Sequence, residues 1–220
     1  MSEHVRPAPF FIADNRALDF LNSVVSPSGT EIEWLSNGSD LLDWLEQARL
    51  VSVAELKPFR NKKYLHACDA VAAQARELRE WIRTFVMAYA GRSVDEAALS
   101  KLDFINKLLE RGSSFNQINL SPLTENNHEN GSSPLQCQRK YRYQEPQDLL
   151  IPIADVMSEL LCEVNFWHVK QCEGPTCTMM FNDVSKNHRR RWCMMSVCGN
   201  RAKAAQHRAR KKSAHTENKP

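Results

Sequence analysis

The sequence feature that most constrains the fold is a set of four cysteines near the C-terminus. They form two pairs, Cys172 with Cys177 and Cys193 with Cys198, each with four intervening residues, and fifteen residues separate the pairs. A structural zinc ion needs four thiolates converging at about 2.3 Å, and two short pairs joined by such a loop can supply them. The spacing therefore predicts one structural Zn²⁺ bound by all four cysteines. Free or disulfide-bonded cysteines are the alternative, which the absence of an export signal disfavours.

The composition predicts one main domain with a small appendage that needs metal. The 220 residues are 42% hydrophobic and 25% charged, which is enough for a single apolar core. No stretch approaches the ~18 uncharged apolar residues of a membrane span. Residues 1–12 carry charges and prolines where a secretion signal would be apolar. We therefore expect a cytoplasmic protein without a membrane partner.

Charge is distributed unevenly along the chain. Residues 1–167 hold 17 Lys and Arg against 23 Asp and Glu, whereas residues 168–220 hold 12 against 3. The net charges are therefore −6 and +9. Because attraction to phosphates is local, a basic end on an acidic body suits a chain that brings only its end to a polyanion. A basic tail that serves solubility is the alternative.

Helical patterns dominate the chain before the cysteines. Apolar residues recur at three- and four-residue steps in four stretches, residues 40–50, 64–89, 94–110 and 152–164. Two capping-box patterns, Ser52 with Glu55 and Ser93 with Glu96, predict helix starts. Each pairs a hydroxyl at the N-cap with a carboxylate three residues later.

A short β-like region interrupts these helices. Residues 115–123 and 137–143 are strand-like, and the polar stretch 124–134 predicts the loop of a hairpin. The fold class is therefore mainly α. We predict a helical N-terminal domain with a minor β-hairpin at residues 1–167, a small treble-clef-like zinc finger at 168–212 and a disordered tail at 213–220.

The residues after Cys198 predict a cationic helix. Good helix formers follow, and at 100° per residue Ala202, Ala205 and Ala209 share a narrow stripe, which we expect to approach the cysteine site closely. Basic side chains lie on both flanks of the stripe. With the arginine run before Cys193, they are the candidates for phosphate or groove contact: Arg189, Arg190, Arg191, Arg201, Lys203, Arg208, Arg210, Lys211 and Lys212.

Two sets of motifs resemble known families. Cys172-x4-Cys177, Phe181-Asn182-Asp183, Arg190-Arg191-Trp192-Cys193-Met194 and Cys198-Gly199-Asn200-Arg201 resemble the CGNR zinc finger of bacterial proteins. Leu18-Asp19-Phe20-Leu21-Asn22-Ser23 and Asp40-Leu41-Leu42-Asp43-Trp44-Leu45 are similar to the ABATE domain that usually precedes this finger, although Ser23 stands where we expect threonine. The resemblance implies a bacterial, stress-induced transcription regulator whose finger binds DNA.

The polar pair in the N-terminal motif allows two interpretations. Asp19 and Asn22 lie three residues apart on one face of a predicted helix. They could brace neighbouring segments, since buried polar groups need partners, or they could line a pocket for a small-molecule effector. Bracing is the simpler interpretation, and both stay open at this point.

Catalysis is the competing class of function, and the sequence disfavours it. Four cysteines close the shell of a zinc ion, whereas a catalytic zinc keeps an open position. His168 and His188 leave open a mixed Cys/His set, but the chain shows neither a nucleophile-elbow nor an HExxH pattern. We therefore expect no enzyme.

A zinc-stapled module that binds RNA or protein, without sequence-specific DNA binding, is also consistent with the basic charge of residues 168–220. The oligomeric state is not predicted.

Overall fold

The computed structural model of the chain describes residues 6–27, 29–120 and 135–217. In these ranges seven α-helices accompany three small antiparallel sheets of two strands each, which confirms the mainly α prediction. The helices are α1 Arg16–Leu21, α2 Gly38–Gln47, α3 Val53–Leu56, α4 Lys62–Tyr89, α5 Asp103–Glu110, α6 Ile151–Glu163 and α7 Asn200–Glu217. The strands, paired in sequence order, are β1 Val24–Val25, β2 Ile32–Glu33, β3 Ser114–Leu120, β4 Leu135–Tyr141, β5 Val169–Gln171 and β6 Met180–Asn182.

The long helix α4 is the centre of the body. Helices α1 and α2 pack against it, and α6 packs against α1 and α5. Helix α2 crosses α4 so closely that a Cβ atom on Gly38 would lie 2.5 Å from the Cβ atom of Cys68. Only a residue without a side chain fits this crossing, so Gly38 sets the distance between the two helices.

One of the two predicted capping boxes is confirmed and the other is wrong. Ser52 and Glu55 make both reciprocal hydrogen bonds at the start of α3. The predicted continuous helix over 94–110 divides into a 3₁₀ turn, Glu96–Leu102, followed by α5. Asp95, not Ser93, caps the turn by accepting from the amide of Ala98. Because the tighter turn changes the helical phase, Leu99 is 60% exposed instead of buried.

The predicted hairpin forms from β3 and β4. Its register runs from Ser114 opposite Tyr141 to Leu120 opposite Leu135. Most of its side chains are exposed, so the hairpin contributes little to the core. The predicted loop, residues 124–134, lies outside the described residues.

A buried arginine fixes the small β1–β2 sheet to α4. Arg79 is 3% exposed, and its guanidinium donates to both carboxylate oxygens of Glu33 at 2.8 and 2.6 Å. It also donates to the hydroxyl of Ser23 at 2.9 Å. Burial opposes ionisation of Glu33, but the hydrogen bonds from Arg79 outweigh it and lower the pKa of Glu33. Ser23, the last residue of the N-terminal motif, therefore helps to hold the β1–β2 sheet against α4 through Arg79.

The C-terminal helix is longer than the sequence indicated. Helix α7 continues to Glu217, five residues into the segment 213–220 for which we predicted a disordered tail. Residues 218–220 lie outside the described part of the chain. Among the helices described, none is both long and apolar enough to cross a membrane.

Candidate metal centre and basic helix

The four cysteines of the two pairs meet at one buried site. Cys172, Cys177, Cys193 and Cys198 place their Sγ atoms within 4.8 Å of one another. The Sγ atom of Cys193 lies 3.8 Å from that of Cys177 and 3.7 Å from that of Cys198. A regular tetrahedron with Zn–S bonds of about 2.3 Å has edges of ~3.8 Å. The cluster therefore fits one structural zinc ion.

Two turns of the backbone position the two cysteine pairs. The first pair sits in the turn between β5 and β6, where the amide of Cys172 donates to the carbonyl of Met179 at 2.8 Å. Within this turn, a Cβ atom on Gly174 would lie 3.0 Å from the Cβ atom of Cys177 and 3.4 Å from the Cys198 sulfur. Cys198 lies in a π-helical turn, Met195–Gly199, that leads directly into α7. The second pair therefore joins the metal centre to the basic helix.

The electrostatics of the cluster suit a divalent cation. The hydrogen bond with Cys193 lowers the pKa of Cys177 to about 5, although burial opposes this. The same hydrogen bond, burial and the Cys177 charge raise the pKa of Cys193, and burial raises that of Cys198 to about 11. Without an ion, one thiolate is stabilised at the expense of its neighbours. A bound Zn²⁺ removes this conflict because it deprotonates the thiols that ligate it.

Asn22, one residue of the predicted scaffold pair, joins the body to the finger. The side-chain amide of Asn22, at the end of α1, donates to the carbonyl of Met180 at 2.8 Å and accepts from the amide of Met180 at 2.9 Å. Two residues later in β6, the amide of Asn182 donates to the carbonyl of Ala13 at 2.8 Å. The side-chain amide of Asn22 thus makes the two backbone hydrogen bonds at the edge of β6 that a neighbouring strand would make.

Asp19 has a different local role in the same motif. Its Oδ1 atom accepts from the amide of Ala13 at 3.0 Å and holds the segment before α1. Burial raises the pKa of Asp19 to about 6, although hydrogen bonds from the backbone of Ala13 and Ile12 favour the ionised form. Both Asp19 and Asn22 are buried and contact backbone. These contacts favour bracing over the ligand pocket that the sequence left open.

Within the arginine run, Arg190 serves the structure of the finger. Its guanidinium donates to the carbonyls of Ile12 and Cys193 at 3.0 and 2.6 Å, pairs with Asp14, and lies 4.3 Å from the ring centroid of Phe181. These contacts fill its donors, so Arg190 is poorly placed to contact an external phosphate. Its neighbours differ: Arg189 is exposed, and Arg191 is exposed with an ion pair to Glu173.

Asp183 has a structural role in the finger that could not be predicted from the sequence. Asp183 is fully buried and accepts from the Lys170 ammonium at 2.6 Å and from the amide of Arg190 at 2.9 Å. Burial opposes its ionisation, but the hydrogen bonds from Lys170, Ser185 and Arg190 hold the pKa of Asp183 well below its usual range. The signal in the sequence was its place in the Phe181-Asn182-Asp183 motif, which does not say that the carboxylate is buried.

The two histidines near the site do not join the ligand group. Among the described residues, the potential metal-binding group consists of the four cysteines alone. The rings of His168 and His188 instead stack on each other, with centroids 3.6 Å apart and an interplanar angle of 9°. The mixed Cys/His set is therefore not the arrangement found.

Helix α7 projects from the metal centre with little packing of its own. Ala202 is half-buried, and every residue from Lys203 to Lys211 is exposed. The prediction that the alanine stripe approaches the cysteine site closely is wrong at Ala205. Arg201, at the start of the helix, donates to the carbonyl of Pro27 in the body. Lys203, Arg208, Arg210 and Lys211 are exposed, and the side chain of Lys212 lies outside the described part.

A helical body joined to a four-cysteine finger defines a zinc-finger protein with a helical N-terminal domain. Two family models match the chain: the family described as "Putative stress-induced transcription regulator" (ABATE) over residues 14–164, and the CGNR zinc finger over residues 168–211. The chain belongs to the ABATE family and carries a CGNR zinc finger. No curated protein matches the chain.

Proposed function

We propose that this protein is a zinc-dependent DNA-binding transcription regulator of the stress response, and that α7 contacts DNA. The observation that carries the proposal is the exposure of a cationic helix that starts at the metal centre. From Lys203 to Lys211 the helix offers basic side chains to solvent on more than one side. A helix of this diameter fits the major groove of B-form DNA.

The contacts divide the nine basic candidates into groups. Arg190 is hydrogen-bonded to the body through the carbonyl of Ile12. Arg191 forms an ion pair with Glu173, and Arg201 donates to the carbonyl of Pro27. Arg189, Lys203, Arg208 and Lys211 are exposed and remain the proposed DNA contacts, together with Arg210 and Lys212, which are proposed from their positions in the basic sequence of α7. Each phosphate contact adds to affinity without reading sequence, and any base-reading residue lies within this group.

Zinc has a structural role in this proposal. The four cysteines would hold the ion, and Cys198 lies two residues before Asn200, the first residue of α7. An ion bound there fixes where the helix starts and its direction relative to the body. A closed shell of four sulfur ligands leaves no position for a substrate, which argues against an enzyme.

Salt-dependent binding tests the proposal. Duplex DNA selected by the protein from random sequences is titrated by fluorescence anisotropy over a range of salt concentrations. We expect Arg208→Gln or Lys203→Gln to reduce the slope of log affinity against log salt by about 1 each, and a base-reading residue to cost a further ~1 to 3 kcal/mol. Lys107→Gln, an exposed lysine on α5, is the matched control and leaves the slope unchanged. Equal slopes for all variants would mean that α7 does not contact DNA.

One observation favours the second candidate, a zinc-stapled module for protein or RNA contact. Met195 and Val197, in the turn that carries Cys198, are 50% and 38% exposed. Exposed apolar side chains beside a basic helix suit a protein partner. Binding that prefers single-stranded RNA over duplex DNA, or that shows no salt dependence, would select this candidate.

A further inference from the structure

A groove of about 400 Å³ lies in the helical body between α4 and α5, with no lining residue from the finger. Leu78 of α4 and Leu150, which directly precedes α6, are its least accessible residues at 5% exposure and form its floor. One wall is the face of α5 that carries Phe104 and Leu108. Sites for small molecules have volumes of about 300 to 1,000 Å³ and mostly apolar linings, so the groove has the size and lining of such a site.

Aromatic contacts hold the groove in shape. The ring of Trp81, on α4, meets the ring of Phe104 edge to face, with centroids 4.7 Å apart. It also stacks on the ring of Phe85, with centroids 5.8 Å apart and 22° between the planes. Phe85 is 4% exposed, so this arrangement is anchored in the core of the body. A preformed site of this kind lowers the entropic cost of binding a ligand.

The apolar surface of the groove is recessed. Trp81, Phe104 and Leu108 are all half-buried. A stable dimer buries about 800 Å² on each partner, which is far more than the accessible part of three half-buried side chains. The shape therefore favours a small molecule over a second copy of the chain.

The wall formed by α4 offers polar groups without protein partners. Gln74, Glu77 and Trp81 follow one another at three- and four-residue steps, so they lie on one face of the helix. Within the described ranges, the side-chain amide of Gln74, the carboxylate of Glu77 and the indole N–H of Trp81 make no hydrogen bond or ion pair. A bound molecule can therefore use all three groups.

The charge of the groove favours a cation. Glu77 is the one charged residue among the described residues that line it. The arginines closest to it along α4 have other partners, since Arg76 donates to the carbonyl of Leu35 and Arg79 pairs with Glu33. The carboxylate of Glu77 is therefore uncompensated at the edge of an apolar surface, where it attracts positive charge.

We propose that this groove binds a small lipophilic amine in its ammonium form. The ammonium group pairs with Glu77 and donates to the side-chain carbonyl of Gln74, and an aromatic or branched apolar body packs against Trp81, Phe104 and Leu108. The site belongs to the helical body and does not rest on the proposed DNA binding.

The proposal is tested by calorimetry on the zinc-loaded full chain with probes that share one ring system and differ in charge. They are naphthalen-2-ylmethylammonium, naphthalen-2-ylmethanol and naphthalene-2-carboxylate. The ammonium binds with Kd below about 1 mM, about threefold tighter than the alcohol and about tenfold or more tighter than the carboxylate. The first step is small because Glu77 is exposed, and exposed ion pairs contribute little. Equal binding of the three probes, or no ammonium binding below about 1 mM, overturns the proposal.

Glu77→Gln tests the carboxylate. We expect this variant to bind the ammonium and the alcohol equally, with the affinity for the alcohol changed less than about twofold. Glu110→Gln, at an exposed glutamate of α5 outside the groove, is the matched control and keeps the preference for the ammonium. Both positions are exposed, so neither substitution should impair folding. An unchanged preference in Glu77→Gln overturns the role of this residue and with it the proposed ligand class.

Leu108→Trp tests the location by filling the groove. We expect it to weaken binding of the ammonium and the alcohol about tenfold or more. Met87→Trp, at an exposed position of α4 outside the groove, leaves binding unchanged. Sedimentation of the same samples reads self-association. A wild type that dimerises, with Leu108→Trp monomeric, would mean that a second copy occupies the groove, which overturns the small-molecule assignment.

Tryptophan emission gives a second measure of location that does not depend on the filled variant. Binding of 2-phenylethylammonium near Trp81 changes the emission of the wild type. This change is lost in Trp81→Phe, although the other tryptophans of the chain remain. A change in emission that persists in Trp81→Phe places the bound amine elsewhere and overturns the site.

Discussion

At the scale of single residues, two buried carboxylates have opposite titration behaviour. Asp183 is surrounded by donors that hold its pKa below the usual range, so it stays ionised and its stabilising effect is lost only in strong acid. Asp19 is held by backbone amides in an otherwise apolar setting, and burial raises its pKa from 3.8 to about 6. Asp19 therefore makes the stability of the protein depend on pH near neutrality.

The sign of this dependence follows from linkage. A group whose folded pKa is raised favours the folded state below its unfolded pKa and loses that contribution as pH rises through the folded value. On going from about pH 7.5 to about pH 5, we expect the wild type to gain about 1 kcal/mol of unfolding free energy relative to Asp19→Asn, which does not titrate. Urea unfolding of both proteins at the two pH values measures the difference. A difference that does not change with pH would contradict the assignment.

Much of the metal site could be predicted from the sequence, because its ligands repeat a short spacing. The bracing role of Asn22 could be framed only as one of two alternatives, since its partner Met180 lies 158 residues further along the chain. Asp183 was missed for a similar reason. Its partner Lys170 lies on the neighbouring strand, and nothing in the local sequence shows that a single aspartate is buried.

At the scale of elements, the arginine run before Cys193 combines two roles. Arg190 ties this segment to residues 12–14, while Arg189 is exposed. Sequence alone could not separate them, because adjacent arginines are equivalent until the backbone direction is known. The expectation that the alanine stripe of α7 packs against the cysteine site was wrong at Ala205 for a different reason. Small residues permit close packing but do not require it.

We expect substitutions of Arg190 and Arg189 to have different effects, the first on stability and the second on DNA binding. Arg190→Gln leaves the carbonyls of Ile12 and Cys193 without their donor, so we expect a loss of about 2 to 4 kcal/mol of unfolding free energy. Arg189→Gln should change stability by less than about 0.5 kcal/mol and reduce the salt slope of DNA binding by about 1. Chemical unfolding and salt titrations of both variants measure this. Equal loss of stability in the two variants would contradict the division.

At the scale of the whole molecule, the finger and the body share one core. The cysteines and Met179, Met180 and Phe181 of the finger are buried in the same cluster as α1 and α4. The capping and apolar patterns of the body are complete before residue 167, so local patterns alone favour a body that folds independently of the finger. In the structure, Asn22 and Ala13 hydrogen-bond to β6, so removing the finger would leave these groups without those partners. Such contacts join segments that are distant in sequence, so local patterns do not reveal them.

If the proposed function is correct, the basic helix α7 binds DNA only when the cysteine cluster holds metal. The most direct test is a titration of metal-free full chain with Zn²⁺, with bound zinc and DNA affinity followed together and Cys198→Ser as the control. We predict that DNA binding appears as zinc binding saturates near one ion per chain, and that the control shows neither. DNA binding by the metal-free chain with the affinity and salt slope of the loaded protein would contradict the account.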